Sequence, residues 1–499
     1  MVALPFVRIP VAQALRFTVP AAAMLLAACA VGPNFKAPAP PAVSSYTPHP
    51  VAATAATPGV AAGSAQHFDS GADIPGDWWT LFHCAPLDAL IKQALAHNPD
   101  LKAAQAALRV AHENMLAQRG AFFPSVSANL SASRQRQAGS LAPVPDSNAF
   151  LYNLYTPQLS ISYTPDVFGA NRRSVESLKA QEQSARFQMI AAWNTLASNV
   201  AVAAIQLAAL QAQIDATRQL VDENTKMLDI LRYQFAKGYA SRVDLAAQES
   251  QLAQTEATLP PLEKQLAQQR DLLAVLAGRF PSQAAGDQIT LDSLHLPEAL
   301  PLSLPSALVA QRPDVRQAQA NLHAASAEVG VATAARLPNL TLTADTGSTS
   351  LEFSKLFTGG TGFWDMAAGI TAPIFEGGTL LHQQRAAKAA FVEADEQYRS
   401  TVLAAFQNVA DTLVALDQDA KALQSAAKAE QAAKLTLDLT EHQLKAGYAS
   451  NLQWLTAEQT WQQARITLVQ AQANRFADTA ALYQALGGGW WHHSDLSTQ

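Results

Sequence analysis

The tetrapeptide Gly-Tyr-Ala-Ser is written twice in this chain, as Gly238, Tyr239, Ala240, Ser241 and as Gly447, Tyr448, Ala449, Ser450, 209 residues apart. Other matches keep nearly that spacing. "NPDLKAAQAALRVA" from Asn98 aligns with "RPDVRQAQANLHAA" from Arg312 at an offset of 214, which also carries Pro124 onto Pro338. "TPDVFG" at Thr164 then pairs with "APIFEGG" at Ala372 at about 208. Four landmarks in one order mark a tandem duplication with few insertions. The chain must build one pattern twice, over halves near residues 87–280 and 300–486.

No Pro or Gly interrupts the chain from Ala170 to Lys237 or from Thr379 to Lys445, and both stretches are rich in Ala, Gln, Leu, Arg and Glu. These are good helix formers. At 1.5 Å per residue, about 68 residues make a helix of about 100 Å. Leu220, Met227, Leu231 and Phe235 recur at helical spacing, and Ala-rich faces elsewhere let helices approach closely. A soluble coiled coil explains these helices equally well. The uncharged interval between Arg186 and Asp215 invites a transmembrane reading, but Asn194, Ser198, Asn199, Gln206, Gln211 and Gln213 interrupt it. It reads instead as the buried part of a helical wall.

After each Gly-Tyr-Ala-Ser the helical pattern resumes, from Val243 to Leu276 and from Leu452 to Leu486. The Gly supplies a C-cap conformation and the Ser an N-cap oxygen, so each copy predicts the tight turn of a long helical hairpin. Pro260 and Pro261 should kink the first return helix, and the second half has no counterpart to them.

Between the helices the period changes to two. "SVSANLSAS" puts Val126, Ala128 and Leu130 on one face, and "LSISYTPDVF" does so with Leu159, Ile161 and Tyr163. "NLTLTADTG" and "FWDMAAGITAPIF" alternate likewise in the second half, with loops near 134–150 and 346–361. The fold class expected is mainly α with membrane β: long hairpins forming a periplasmic α-barrel, plus four strands per chain. Four strands cannot close a membrane barrel, since lipid-exposed edges leave backbone groups unsatisfied. Subunits must share one. Two chains would give a tight eight-stranded barrel, whereas three give twelve strands and room for a lumen, so three are favoured.

The ends read differently. Residues 1–28 carry Arg8 and Arg16, then the apolar run "VPAAAMLLAA", and form a signal peptide. "LLAAC" resembles a bacterial lipobox, which makes Cys29 the candidate lipidated residue of an outer-membrane protein; acyl chains anchor at about 0.8 kcal/mol per buried methylene. Residues 29–76 read as an Ala/Pro-rich tether without a packed core. The first structural repeat is placed at 77–296, the second at 297–486, and 487–499, "GGGWWHHSDLSTQ", is expected to be flexible.

Only Cys84 remains beside Cys29, so no internal disulfide framework exists. It reads as an inert small apolar residue. Without the signal peptide the chain has 32 basic and 40 acidic residues, which argues against nucleic acid as a partner. Catalysis finds no support: Gly-x-Ser-x-Gly, His-Glu-x-x-His and phosphate-loop patterns are lacking, and His97, His112, His295, His323, His382 and His442 are isolated. No cofactor or metal is expected, His492 and His493 included.

The lipobox followed by "VGPNFKAP", then "DWWTLFHCAPLDALIKQALAHNPDLKAAQAAL", "ISYTPDVFGANRR", "LLAVLAGRFP", "LPSALVAQRPDVRQAQANL" and "TAPIFEGG", resembles the lipoprotein (OprM-like) branch of the TolC-like outer-membrane efflux factors. The resemblance covers nearly the whole mature chain. It implies a homotrimer with a twelve-stranded barrel in outer-membrane lipid and a periplasmic helical barrel. Such a passive exit duct conducts small molecules and docks onto a periplasmic adaptor and an inner-membrane pump, usually of the proton-driven RND type. The two Gly-Tyr-Ala-Ser turns would then line the periplasmic entrance. Family members commonly place an aspartate six or nine residues beyond the second turn Gly. Here those residues are Gln453 and Thr456, while the first copy has Asp244 at the sixth place. The entrance is therefore expected to be sealed mainly by Leu452, Trp454 or Leu455 and polar contacts, unless these side chains only pack between helices. Two alternatives remain: a duct for type I protein secretion, and a non-conducting scaffold lipoprotein, which would give no reason for four alternating strands.

Overall fold

A computed structural model of the chain describes residues 30–136, 151–283 and 289–497. Cys29 and the segment 1–28 lie outside these, as does most of the first inter-strand loop. The chain divides into two compact units, one from the described parts of Met1–Ala37, Arg109–Ser184 and Ala318–Gln397, the other from Pro38–Leu108, Ala185–Gln317 and Tyr398–Gln499.

In chain order the longer elements are β1 (His67–Ser70), α1 (Ala85–His97), α2 (Pro99–Arg119), β2 (Ser125–Arg136), β3 (Leu151–Tyr163), α3 (Ala170–Ala236) and α4 (Arg242–Leu276). Then follow β4 (Ala299–Leu302), α5 (Pro305–Gln311), α6 (Pro313–Ala334), β5 (Asn339–Ser348), β6 (Gly362–Thr371), α7 (Thr379–Lys445) and α8 (Asn451–Ala485). The duplication is plain: helices α3 and α7 each run 67 residues, and α4 and α8 each run 35.

The first unit holds an antiparallel sheet in the order β2-β3-β5-β6. Strand β3 begins eight residues earlier than the alternation from Leu159 suggests, because Pro157 lies inside it. The β5 ladder covers only Gln158–Tyr163 of β3, so Pro157 stands where that ladder ends and its missing N–H costs little.

The second unit contains the aromatic run of "DWWTLF". Trp78, Trp79 and Phe82 are buried; Trp78 stacks on Tyr483 of α8 at 5.2 Å, and Phe82 packs against Phe476 at 6.2 Å. By length and composition α3 could cross a membrane, but its apolar window is 61% buried within the protein, with Val200, Ala201, Ala204 and Ile205 fully enclosed. Helix α4 passes through Pro260 and Pro261 without interruption. Cys84 is buried at the start of α1.

Both ends depart from the sequence reading. The stretch expected to be a tether without a core is docked: Thr54, Thr57, Ala62 and Gln66 are buried. Arg475 of α8 explains this, because its guanidinium donates to Ser64 O and Gln66 Oε1, both at 3.0 Å, and an extended strap satisfies part of that buried charge. β1 then pairs in parallel with β4, so regular structure begins ahead of Trp78. Residues 487–497, expected to be flexible, are also packed. Trp490 Nε1 donates to Gln311 O at 2.7 Å, Trp491 Nε1 to Asp73 Oδ1 at 3.0 Å, and His492 pairs with Asp73 at 2.7 Å. The three glycines have φ of +104°, +73° and +70°, and a Cβ on Gly488 would lie 2.0 Å from Asn194 Oδ1. They serve a close turn against α3 rather than looseness.

Candidate functional site: a two-faced sheet and two helical turns

Register fixes which side chains share a face of the sheet. Val126 pairs with Ile161 and Ala128 with Leu159; Ile161 continues to Ala344 and Tyr163 to Leu342; Leu342 reaches Ala368 and Ala344 reaches Met366. With Leu130, Trp364 and Ile370 this makes one nearly continuous apolar face. Trp364, Met366 and Ile370 are exposed, and such a face is stable only against lipid or another apolar surface.

The opposite face carries Ser127, Asn129 and Ser131 on β2, Thr156, Gln158 and Ser160 on β3, and Thr341, Thr343 and Asp345 on β5. It suits water. Asp345 stands directly across from Asp365, a like-charge pair that the alternation did not reveal, because only register shows it. Strands β2 and β6 each have one edge unpaired among the described residues.

The two Gly-Tyr-Ala-Ser copies are equivalent turns. Gly238 has φ +78° and Gly447 +79°. Tyr239 N–H donates to Gln234 O at 2.8 Å and Gly238 N–H to Phe235 O at 3.0 Å; Tyr448 to Gln443 at 2.8 Å and Gly447 to Leu444 at 3.1 Å repeat the pair. This is the Schellman arrangement, in which glycine avoids the left-handed penalty. The next helix starts with a capping box: Asp244 N–H donates to Ser241 Oγ at 3.1 Å while Ser241 N–H donates to Asp244 Oδ2 at 3.2 Å. In the second copy Gln453 N–H donates to Ser450 Oγ at 3.3 Å and Ser450 N–H to Gln453 Oε1 at 2.7 Å. Asp244 and Gln453, singled out as constriction candidates, are thus folded back onto their own turns. The Ser-x-x-Asp and Ser-x-x-Gln spacing carried that signal. Tyr239 and Tyr448 are both exposed.

The remaining candidates separate. Leu452 is 65% exposed, and Thr456 is exposed with its hydroxyl bound to Leu452 O. Trp454 and Leu455 are 6% and 5% exposed and pack with Leu220, Ala433, Leu437, Ala457 and Trp461. Within the protomer they are interior residues, because the α8 face bearing them meets α3 and α7.

Beside this cluster sits a polar group that sequence reading missed. Glu458 is 1% exposed; Asn224 Nδ2 donates to its Oε1 at 2.5 Å, and Gln248 Nε2 donates to Asn224 Oδ1 at 2.8 Å. Burial pushes the Glu458 carboxyl up to about 8; the Asn224 bond opposes this and the charge of Glu223 adds to it. Three helices, α3, α4 and α8, contribute one side chain each.

In the first unit Arg173, buried on α3, holds the chain at Val31 and Asn34. It donates to Val31 O at 3.1 Å and Asn34 Oδ1 at 2.7 Å, and pairs with Glu176 at 2.7 Å. His323 reaches Glu176 at 2.9 Å and stacks on Phe35 at 4.3 Å. Burial acts to raise the Glu176 pKa, but the bonds from His323 and Arg173 hold it below its usual value.

The family description "Outer membrane efflux protein" matches residues 90–279 and 304–488, one segment for each half. The pyoverdine export outer membrane protein OpmQ of Pseudomonas aeruginosa is 32% identical over 420 residues, 83% of this chain and 87% of that protein. The antibiotic efflux pump outer membrane protein ArpC of Pseudomonas putida is 30% identical over 482 residues, 96% of each. The solved structure of the outer-membrane channel OprN superposes with a TM-score of 0.82 at 25% identity, covering 93% of this chain and all of that one. A chain with this two-faced sheet and these paired hairpins, matched over both halves, belongs to the outer membrane efflux protein family: it is an outer-membrane channel of the TolC-like kind that extends into the periplasm and serves a tripartite efflux pump.

Proposed function

We propose that the working form is a homotrimer whose three four-stranded sheets close one twelve-stranded barrel, with the apolar face toward lipid and the Ser/Thr/Asn face toward the lumen. The observation that carries this is the sheet itself: four strands, two open edges, and faces of opposite polarity. Open edges in lipid would leave backbone groups without partners at several kcal/mol each, so closure with other copies removes a large cost.

In this reading six Gly-Tyr-Ala-Ser turns, two per chain, line the periplasmic entrance and meet a periplasmic adaptor, and an inner-membrane RND-type pump supplies the energy. Cys29 carries the lipid anchor, and the Arg173 clamp on Val31 and Asn34 holds the chain two residues beyond it. The cargo is of small-molecule class, as the names of the pyoverdine and antibiotic relatives suggest.

The native mass of the lipidated protein in detergent, corrected for bound detergent, tests the assembly. A trimer that conducts in planar bilayers is the expected result. A stable monomer would overturn the shared barrel.

A further inference from the structure

The hairpins contain a buried acid, Glu458. Glu458 lies eight residues beyond the Ser450 cap, about 12 Å along α8. It belongs to no ion pair among the described residues. Its Oε1 accepts from Asn224, but its Oε2 has no partner, and neither does Oε1 of the buried Gln248. Two orphan acceptors in one polar cluster lack a donor, and a proton on the carboxyl is what would supply one.

We propose that Glu458 is a proton-loaded clasp for the entrance hairpins: protonated, it completes the Asn224–Gln248–Glu458 link that ties α3, α4 and α8 together, and ionised, it loosens them. This rests on the reading that the turns form the entrance. The surrounding charges favour the neutral acid. Helix α3 offers Glu223, a like charge. Helix α4 offers the neutral Gln248, while its Glu249 is engaged with Arg232 at 3.6 Å. On α7, Glu430 accepts from Trp461, and Lys434 lies over the Trp461 ring while pairing with Asp438 at 2.9 Å. On α8 itself Gln459 bonds Gln251 of α4, and Arg465 lies by the Trp461 ring and donates to Gln219.

The direction follows from linkage. The packed value, about 8, lies above the ordinary carboxyl value of 4.5, so the packed state takes up a proton. Its contribution is complete below 4.5 and is lost as pH rises through about 8. One proton makes hairpin opening at most about ten-fold easier per pH unit across that window, and the effect levels off above it.

The test uses the full-length protein in detergent with carbon-13-labelled glutamate. One carboxyl resonance, absent from Glu458→Gln, should titrate near pH 8, and Asn224→Leu, which removes the donor, should raise it further. Hydrogen exchange over residues 220–231 and 451–462, corrected for the intrinsic pH dependence of exchange, should accelerate with pH in the native protein and stay flat in Glu458→Gln. A resonance at ordinary carboxylate pH, or the same exchange profile in Glu458→Gln, overturns the clasp. Bilayer recordings separate the two readings: openings that rise over the same window only with Glu458 support both, whereas a titrating clasp in a channel whose conductance ignores it refutes its control of the entrance and leaves the trimer intact.

Discussion

Replacing a turn glycine by alanine isolates one physical term. A Cβ built on Gly238 or Gly447 meets nothing within 4 Å, so no clash contributes. What remains is the left-handed conformation, φ +78° and +79°, which costs an alanine about 1–2 kcal/mol. Alanine also narrows the unfolded chain, offsetting about 0.4–1 kcal/mol. The net is about 1 kcal/mol, or about five-fold in the local opening equilibrium. The Schellman bonds from Gly447 and Tyr448 N–H are what opening would break, so hydrogen exchange over residues 443–450 reads the effect directly. Gly447→Ala should exchange about five-fold faster, and Gly447→Asn, which tolerates this conformation, less than about two-fold. If alanine and asparagine behaved alike, or if either raised exchange by about a hundred-fold or more, the assignment of the cost to backbone conformation alone would be wrong.

Trp454→Ala should lose about 3–5 kcal/mol of stability in denaturant titrations because it empties a buried site, while Leu452→Ala, at an exposed one, should stay within about 0.5 kcal/mol. Equal effects would contradict the assignment of Trp454 to the interior. Burial, then the neighbouring Asp419, pushes Asp478 up to about 7, above the ordinary aspartate value of 3.8. Its contribution is therefore present at low pH and lost as pH rises through about 7, and Asp478→Asn should flatten that part of the stability profile. Asp365→Asn removes one of two facing like charges. It should reduce cation preference, read as a shifted reversal potential across a salt gradient, and an unchanged potential would refute the polar face as the conducting surface.

Much of the architecture was legible because it rests on local rules. A run of helix formers without Pro or Gly gave α3 to within one residue and α7 over its whole length, Thr379–Lys445. Gly at a C-cap and Ser at an N-cap gave both turns, since cap chemistry involves residues only a few places apart. Alternation gave four strands, although Pro157 hid the first eight residues of β3.

What the sequence determined by itself was the duplication, written as one pattern repeated about 210 residues on, together with the hairpins and the alternation, which are set by neighbours within one or two turns of chain. The tertiary structure alone decided that the N-terminal strap docks on Arg475, that the triple glycine turns the tail onto Asn194 and Pro75, and that Trp454 and Leu455 face inward. It also decided that Asp345 faces Asp365 and that Glu458 meets Asn224, 234 residues earlier. Those outcomes depend on which distant segments share a dielectric and a surface, and no local pattern encodes that.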